Sequence, residues 1–162
     1  MKPKVYIETT VISYLTAQPS RDVVIAGHQQ STRDWWKNAA DRFELVASQL
    51  VLTEASAGDP EAARARLAAL NSLTLLDATE EALELAQQLV NAGVVPAKAA
   101  EDAAHIAIAV VNGIEYLVTW NYRHIANATI RSQIETVCRN AGFEPAIICT
   151  PDELMERDHD DE

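Results

Sequence analysis

The sequence is poor in the residues that would cradle phosphate or cross-link the chain. It contains only five glycines, and they form neither a GxGxxG nor a GxxxxGK[ST] motif. A nucleotide-cofactor enzyme is therefore disfavoured, and no serine or cysteine nucleophile with a partner base is visible. The two cysteines, Cys138 and Cys149, lack the spacing of a metal site. We expect both to be small core residues in a reducing cytoplasm.

Long apolar runs are also missing. None approaches the roughly 18–20 residues that cross a bilayer. At the start of the chain Lys2 and Lys4 are followed by Glu8 and not by a long apolar segment, so we predict no signal peptide and no membrane span.

What is present is the composition of one globular domain. The chain has 162 residues, 48% of them hydrophobic, and a net charge of −11. Residues 152–162 hold seven acidic residues and one arginine, so much of that charge lies at one end. We predict one domain over residues 1–151 and an acidic tail over 152–162 that ends the last helix and frays. The mildly acidic body argues against a broad nucleic-acid-binding surface, which is normally basic.

Short β-branched runs alternate with longer helical stretches along the chain. The runs are near-continuously apolar, as in strands covered on both faces. Alternating strands and helices indicate a parallel α/β sheet with right-handed crossovers. The five predicted strands are 4–8, 43–47, 73–77, 115–119 and 146–149.

Helix ends can be read from capping residues, prolines and glycines. Ser20 is predicted to cap a helix that runs from Arg21 through Trp35 and Trp36. Two adjacent tryptophans on a helix cannot both face one core. Either one of them marks a partner surface, or both lie in a partly covered corner. A capping box is predicted at 150–153. The other predicted helices are a short one from Ser48 to Gly58, and 60–70, 80–91, 97–112 and 128–141.

Carboxylates stand at positions where apolar residues are expected. Glu8 ends the first strand, in YIETTVIS, where the chain is expected to turn at Thr9 and Thr10. Glu54 shares a helix face with Leu50, and Asp102 lies on the face expected to pack on the sheet, where an unpaired charge is costly.

Each position also has a plain structural interpretation. Glu54 could lie on a helix surface, Asp102 could pair with an arginine or cap a loop, and Asn121, just past the fourth strand, could form a turn. Together, however, Glu8, Glu54, Asp102 and Asn121 fall where strand ends and adjoining helices converge, which is where parallel sheets bind ligands. Their oxygen atoms suit a hard cation such as Mg²⁺ or Mn²⁺. Glu101 is turned away on its helix and is expected to face solvent.

These segments resemble the PIN domain, and more narrowly the bacterial VapC-type toxins. The resemblance covers roughly residues 4–150, and its most specific parts are EDAAHIAIA and YLVTWNYRHI. It implies a three-layer α/β fold with a central parallel sheet of about five strands flanked by helices. Carried over by position, the family's acids fall on Glu8, Glu54, Asp102 and Asn121, and its site hydroxyls fall on Thr10 and Thr119.

The sequence departs from the family pattern at two of these positions. Glu8 stands where Asp is usual, and neutral Asn121 replaces the fourth acid. The site would therefore hold three metal-ligating carboxylates, Glu8, Glu54 and Asp102, so one metal is plausible and a second would need help from substrate phosphate.

The resemblance implies a Mg²⁺- or Mn²⁺-dependent endoribonuclease, located in the cytoplasm and acting as a homodimer. Lys98, Arg123 and His124 would meet the charge of the RNA, and a small antitoxin would bind at the acidic site. The replacements at Glu8 and Asn121 also leave open a PIN-like interaction module with weak or no nuclease activity. For His105 we expect a core or interhelical hydrogen bond.

Overall fold

A computed structural model describes residues 1–157. Five parallel strands form one sheet in the order β3-β2-β1-β4-β5. All five predicted strands are present, each within two residues of its expected bounds. The strands are β1 Lys4–Ile7, β2 Glu44–Ser48, β3 Thr74–Leu76, β4 Tyr116–Val118 and β5 Ile147–Cys149.

Within residues 1–157, seven α-helices connect and cover the strands. Four of the predicted stretches match closely, because each begins at a polar capping side chain or a proline. Short 3₁₀ turns span Ala97–Ala99 and Pro151–Leu154. The helices are α1 Thr9–Thr16, α2 Val23–Arg42, α3 Gln49–Ala55, α4 Pro60–Leu70, α5 Glu80–Asn91, α6 Ala100–Val111 and α7 Ala128–Asn140.

The prediction that the chain turns after Glu8 was wrong. Thr9 and Thr10 begin helix α1, and Glu8 is its N-cap, with a side-chain oxygen accepting the backbone N–H of Thr10. The β-branched residues suggested a strand and a turn, but the N-cap bond and burial of Val11 and Ile12 outweigh that weak local preference.

Two other helix ends differ from expectation. Asp22, not Ser20, caps α2, because its carboxylate accepts the N–H groups of both Val24 and Ile25. The capping box expected at 150–153 forms only a 3₁₀ turn, since the Thr150 hydroxyl bonds to the side chains of Asp152 and Glu153 and not to a backbone amide. Residues 158–162 of the predicted acidic tail lie outside the described part of the chain.

The strand order creates a crevice between β1 and β4. From β1 the chain moves to β2 and β3 on one side, then crosses back to β4 and β5 on the other. Connections therefore diverge at the carboxyl ends of β1 and β4, which is the place where such sheets bind ligands. Glu8 follows β1, and Thr119 follows β4.

The core lies on both faces of the sheet. Val5, Tyr6 and Ile7 of the central strand are fully buried. Of the tryptophan pair, Trp35 is buried and Trp36 is partly buried against the core, so the pair lies in a partly covered corner. Both cysteines are buried as expected, and burial raises the pKa of Cys138 to about 11 and that of Cys149 to about 12.

Within residues 1–157, no helix combines the length and the apolar character that crossing a membrane requires.

The cap of α2 gives a direct test of the observed helix start. Asp22→Ala should lower the free energy of unfolding by about 1 kcal/mol, because two amide donors lose their acceptor and the helix dipole loses an anion. Ser20→Ala should cost less, since the Ser20 hydroxyl accepts only the N–H of Asp22. Urea denaturation of both variants measures the difference, and a larger loss for Ser20→Ala would contradict the assignment.

Candidate active site

Glu8 is a buried carboxylate held by three hydrogen bonds. The hydroxyls of Thr10 and Thr119 donate to its Oε1 at 2.6 and 2.5 Å, and the N–H of Thr10 donates to Oε2 at 3.1 Å. The residue is only 3% exposed. A buried charge is costly unless polar groups satisfy it, so these donors are what allow a carboxylate at this depth.

The two threonines also tie the strand ends together. The Thr10 hydroxyl accepts the N–H of Trp120 at 2.9 Å, and the Thr119 hydroxyl accepts the N–H of Asn121 at 2.9 Å. Each hydroxyl thus donates to Glu8 and accepts from the backbone that follows β4. The carboxylate is therefore fixed by elements that are far apart in sequence.

Glu54 lies near the end of α3, and two donors converge on its Oε1. The hydroxyl of Thr9 and the Nε2 of His105 are each 2.6 Å away. Burial raises the pKa of Glu54, but hydrogen bonds to its carboxylate, first from His105 and then from Thr9, outweigh that and hold the pKa below its usual value. Glu54 is thereby held as a carboxylate.

A buried chain of hydrogen bonds fixes the imidazole that holds Glu54. The Tyr6 hydroxyl lies 2.7 Å from His105 Nδ1 and 2.8 Å from the Ser48 hydroxyl. Every polar hydrogen finds an acceptor if Ser48 donates to Tyr6, Tyr6 donates to Nδ1 and Nε2–H donates to Glu54. Burial raises the pKa of Tyr6, so its phenol keeps the proton that this arrangement needs. The network assigns His105 the neutral tautomer with hydrogen on Nε2.

One group of ligand-type side chains forms within the described residues. Glu8, Glu54 and His105 each offer an atom, and these atoms lie within 4.8 Å of one another. In the inferred tautomer Nε2 of His105 is a donor, so the available ligands are the carboxylate oxygens. Oxygen ligands of this kind suit Mg²⁺ or Mn²⁺.

Asp102 and Asn121 do not belong to this group and have their own partners. Asp102, in the first turn of α6, meets Nδ1 of His124 at 2.9 Å. The side-chain oxygen of Asn121 accepts the N–H of His124 at 3.0 Å, which is the turn-forming role considered from sequence. The structure thus brings Glu8 and Glu54 together, and it joins Asp102 to Asn121 through His124.

The basic residues selected from sequence line an open cleft of about 500 Å³. Lys98, Arg123 and His124 border it together with Glu101 and Asp102. Glu101 is exposed, as its position on the helix predicted. The cleft therefore carries both signs of charge.

Sequence reasoning did not connect His105, Tyr6 and Ser48 to the site. An available signal was the spacing of Asp102 and His105, which puts them on adjoining positions of one helix face. The alternation of Tyr6 and Glu8 on β1 likewise puts both on one face of the sheet. The expected interhelical hydrogen bond of His105 is confirmed, and its partner Glu54 is a site carboxylate.

Comparisons with known proteins bear on the fold. No protein-family model matches the chain, and no curated protein matches it. Among solved structures it is similar to VapBC2 from Rickettsia felis, crystallised bound to a DNA fragment from their promoter. The TM-score is 0.57 at 16% identity, over 91% of this chain and 98% of that one.

A second similar structure is VapC20 from Mycobacterium tuberculosis, described as a sarcin-ricin loop cleaving toxin. Its TM-score is 0.53 at 17% identity, over 74% of this chain and 92% of that one. At such identities the likeness shows the fold, and the PIN-like α/β fold predicted from sequence is confirmed.

The donors around Glu8 predict a stability effect. Thr119→Val removes a buried hydroxyl without changing side-chain shape, and it should lower the free energy of unfolding by about 1.5–3 kcal/mol, the usual worth of a hydrogen bond to a charged group. Thr136→Val, on the exposed face of α7, is the matched control and should change it by less than about 0.5 kcal/mol. Equal effects would show that Glu8 does not depend on Thr119.

The lowered pKa of Glu54 predicts a pH dependence. A carboxylate whose pKa is lower in the folded protein contributes stability above its unfolded pKa, which is near 4.5, and loses that contribution as the pH falls through the folded value. The stability difference between wild type and Glu54→Gln should therefore be constant above about pH 5.5 and shrink below 4.5. Urea midpoints between pH 3 and 7 measure it, and a constant difference throughout would contradict the shift.

Proposed function

We propose that this chain, whose PIN-like fold is that of the VapC toxin structures, is a divalent-metal-dependent endoribonuclease that hydrolyses RNA phosphodiesters. The observation that carries the proposal is the pair of preorganised carboxylates, Glu8 at the carboxyl end of β1 and Glu54 on α3, the helix that follows β2. Both are held by side-chain donors, as ligands of a metal usually are.

The donor set fits Mg²⁺ or Mn²⁺. Glu8 and Glu54 would hold the ion, and Asp102 would join them from the first turn of α6 after releasing His124. A divalent ion bound there would lower the pKa of its water and neutralise charge on the phosphate. With Asp102 as the third carboxylate beside Glu8 and Glu54, one resident ion is the proposal.

The remaining site residues keep the ligands in place. Thr10 and Thr119 orient Glu8. His105 and Thr9 orient Glu54 and keep it ionised, which also lets it hold the attacking water by a hydrogen bond. Asn121 acts indirectly on Asp102. Its side chain fixes the backbone of His124, and His124 is the partner of Asp102.

The substrate's negative charge would be met in the adjoining cleft. Lys98 and Arg123 are the cations there, and His124 can donate a hydrogen bond to phosphate. This cluster is local, which agrees with a chain that is acidic as a whole and has no broad basic surface.

Partners and location complete the proposal. VapBC2 is a complex that was crystallised on promoter DNA. By analogy a small antitoxin protein would bind this chain and insert a segment at the acidic site. A homodimer and a cytoplasmic location, both expected from the sequence resemblance, belong to the same proposal.

A second candidate is an interaction module with little or no nuclease activity. The observation in its favour is that the acids are already engaged. Glu8 accepts three hydrogen bonds, Asp102 is paired with His124, and the side-chain oxygen of Asn121 accepts a backbone N–H. Such a site could remain metal-free while the fold presents a surface to a partner protein.

Calorimetric titration with Mn²⁺ separates the two candidates. Wild type, stripped of metal, should bind the ion, and Glu54→Gln should bind at least about tenfold more weakly because a charged ligand is lost. His105→Gln removes the imidazole that holds Glu54 in place. It should weaken Mn²⁺ binding by about 10–100-fold, the range for residues that hydrogen-bond to metal ligands. RNA cleavage assays on the same proteins should follow the metal affinities.

Controls make the result specific. Glu81→Gln, an exposed carboxylate on α5, should leave metal binding and cleavage unchanged. Asp102→Asn tests the third ligand, and unchanged Mn²⁺ affinity with lowered stability would make Asp102 only a partner of His124. A wild type that binds no Mn²⁺ even with RNA present would favour the interaction module.

A further inference from the structure

Four aromatic rings from three parts of the chain gather beside the acidic site. Tyr14 comes from α1, His28 from α2, and Trp120 and Tyr122 from the segment after β4. The His28 and Trp120 rings stack with centroids 4.2 Å apart and planes 13° apart. Tyr14 lies nearly parallel to both, and Tyr122 is tilted against both His28 and Trp120. We call these four residues the aromatic cluster.

The aromatic cluster differs from ordinary core packing. Only Trp120 is buried, at 5% exposure, whereas Tyr14 and His28 are partly exposed and Tyr122 is 49% exposed. The Trp120 indole N–H donates to the Thr32 hydroxyl at 2.7 Å, and Thr32 in turn donates to the carbonyl of His28. The buried ring is thus locked in place, with its neighbours reaching the surface.

The cluster is directly continuous with the acidic site. The backbone N–H of Trp120 donates to the Thr10 hydroxyl, which itself donates to Glu8. One residue after Tyr122, Arg123 lines the cleft that also contains Asp102. A single short segment therefore carries two aromatic rings and, directly after them, a cation.

We propose that the aromatic cluster is a nucleobase-stacking subsite, with Tyr122 as its exposed contact, for an unpaired base of single-stranded RNA next to the cleaved phosphate. The inference rests on the proposed nuclease function and specifies how the substrate is held. Aromatic side chains bind unstacked bases through their faces, and rings that are already ordered lose little entropy on binding. A base inside a duplex cannot offer its face, so the subsite selects unpaired segments.

The charges around Tyr122 define which part of the RNA it can meet. Burial, the carboxylates of Asp152 and Glu153, and Tyr14 together raise the pKa of the Tyr122 phenol. Those carboxylates repel phosphate, so the ring is suited to the base and not to the backbone. The backbone is instead directed toward Lys98 and Arg123 in the cleft.

The test measures binding of two fluorescein-labelled probes to the full chain by fluorescence anisotropy. One probe is the RNA hexamer of adenosine, and the other is the same hexamer with abasic riboses. Ca²⁺, which also prefers oxygen ligands, replaces the activating ion, and gels confirm that the RNA stays intact. Tyr122→Ala should bind the adenosine hexamer about 5- to 150-fold more weakly than wild type, the range for one lost stacking contact.

Comparison variants isolate the ring face. Tyr122→Phe keeps the ring and should stay within about twofold of wild type, and Leu83→Ala, an exposed apolar residue on α5, should bind as wild type does. The abasic probe should bind wild type and Tyr122→Ala equally. A hairpin with adenosines in its loop should outcompete the matching continuous duplex.

The outcomes also separate this inference from the proposed function. If wild type cleaves RNA but Tyr122→Ala binds the adenosine hexamer equally well, the stacking subsite is wrong and the nuclease proposal stands. If Tyr122→Ala weakens the abasic probe as much as the adenosine probe, the ring does not act on the base, and the inference is also wrong. A wild type that binds neither probe and cleaves no RNA overturns both.

Discussion

The structure of the site depends on the solvation of one buried carboxylate. Glu8 stands at the divergence point of the sheet, where water is excluded, and it is stable there only because two threonine hydroxyls and a backbone amide take the place of water. Those same hydroxyls accept the backbone amides that follow β4. The same two hydroxyls therefore satisfy the charge of Glu8 and connect it to the backbone that follows β4.

The second carboxylate is supported in the same manner from a different direction. Glu54 receives the hydroxyl of Thr9 and the imidazole of His105, and the imidazole is aligned through Tyr6 to Ser48, which caps α3. This path runs from helix α6 through strand β1 to the helix that carries Glu54. A buried network of this kind stabilises the fold only when every member is hydrogen-bonded, since each unpaired polar group would cost the free energy of its desolvation.

The two carboxylates, the open cleft and the aromatic cluster differ in the chemical groups that they present. Glu8 and Glu54 provide ordered oxygen atoms within 4.8 Å of each other, Lys98 and Arg123 border the open cleft, and the rings after β4 offer flat apolar faces. All three depend on the segment from Thr119 to His124, which contacts Glu8, Thr32 and Asp102 in turn. This segment also places Arg123 and His124 at the cleft of a chain that is acidic as a whole.

The sequence by itself determined the strand and helix pattern, since apolar runs and capping residues act locally. It also predicted that Glu8, Glu54 and Asp102 would meet, and the structure brings the first two of these together. The sequence could not show that Glu8 would begin a helix, because that depends on burial of Val11 and Ile12 in the assembled core. Only the tertiary structure decided that His105 would hold Glu54 and His124 would hold Asp102. Such contacts depend on how each helix is rotated and on its approach to within hydrogen-bonding distance. The first pair is separated by 51 positions in the sequence and the second by 22, so the local sequence pattern does not predict either contact.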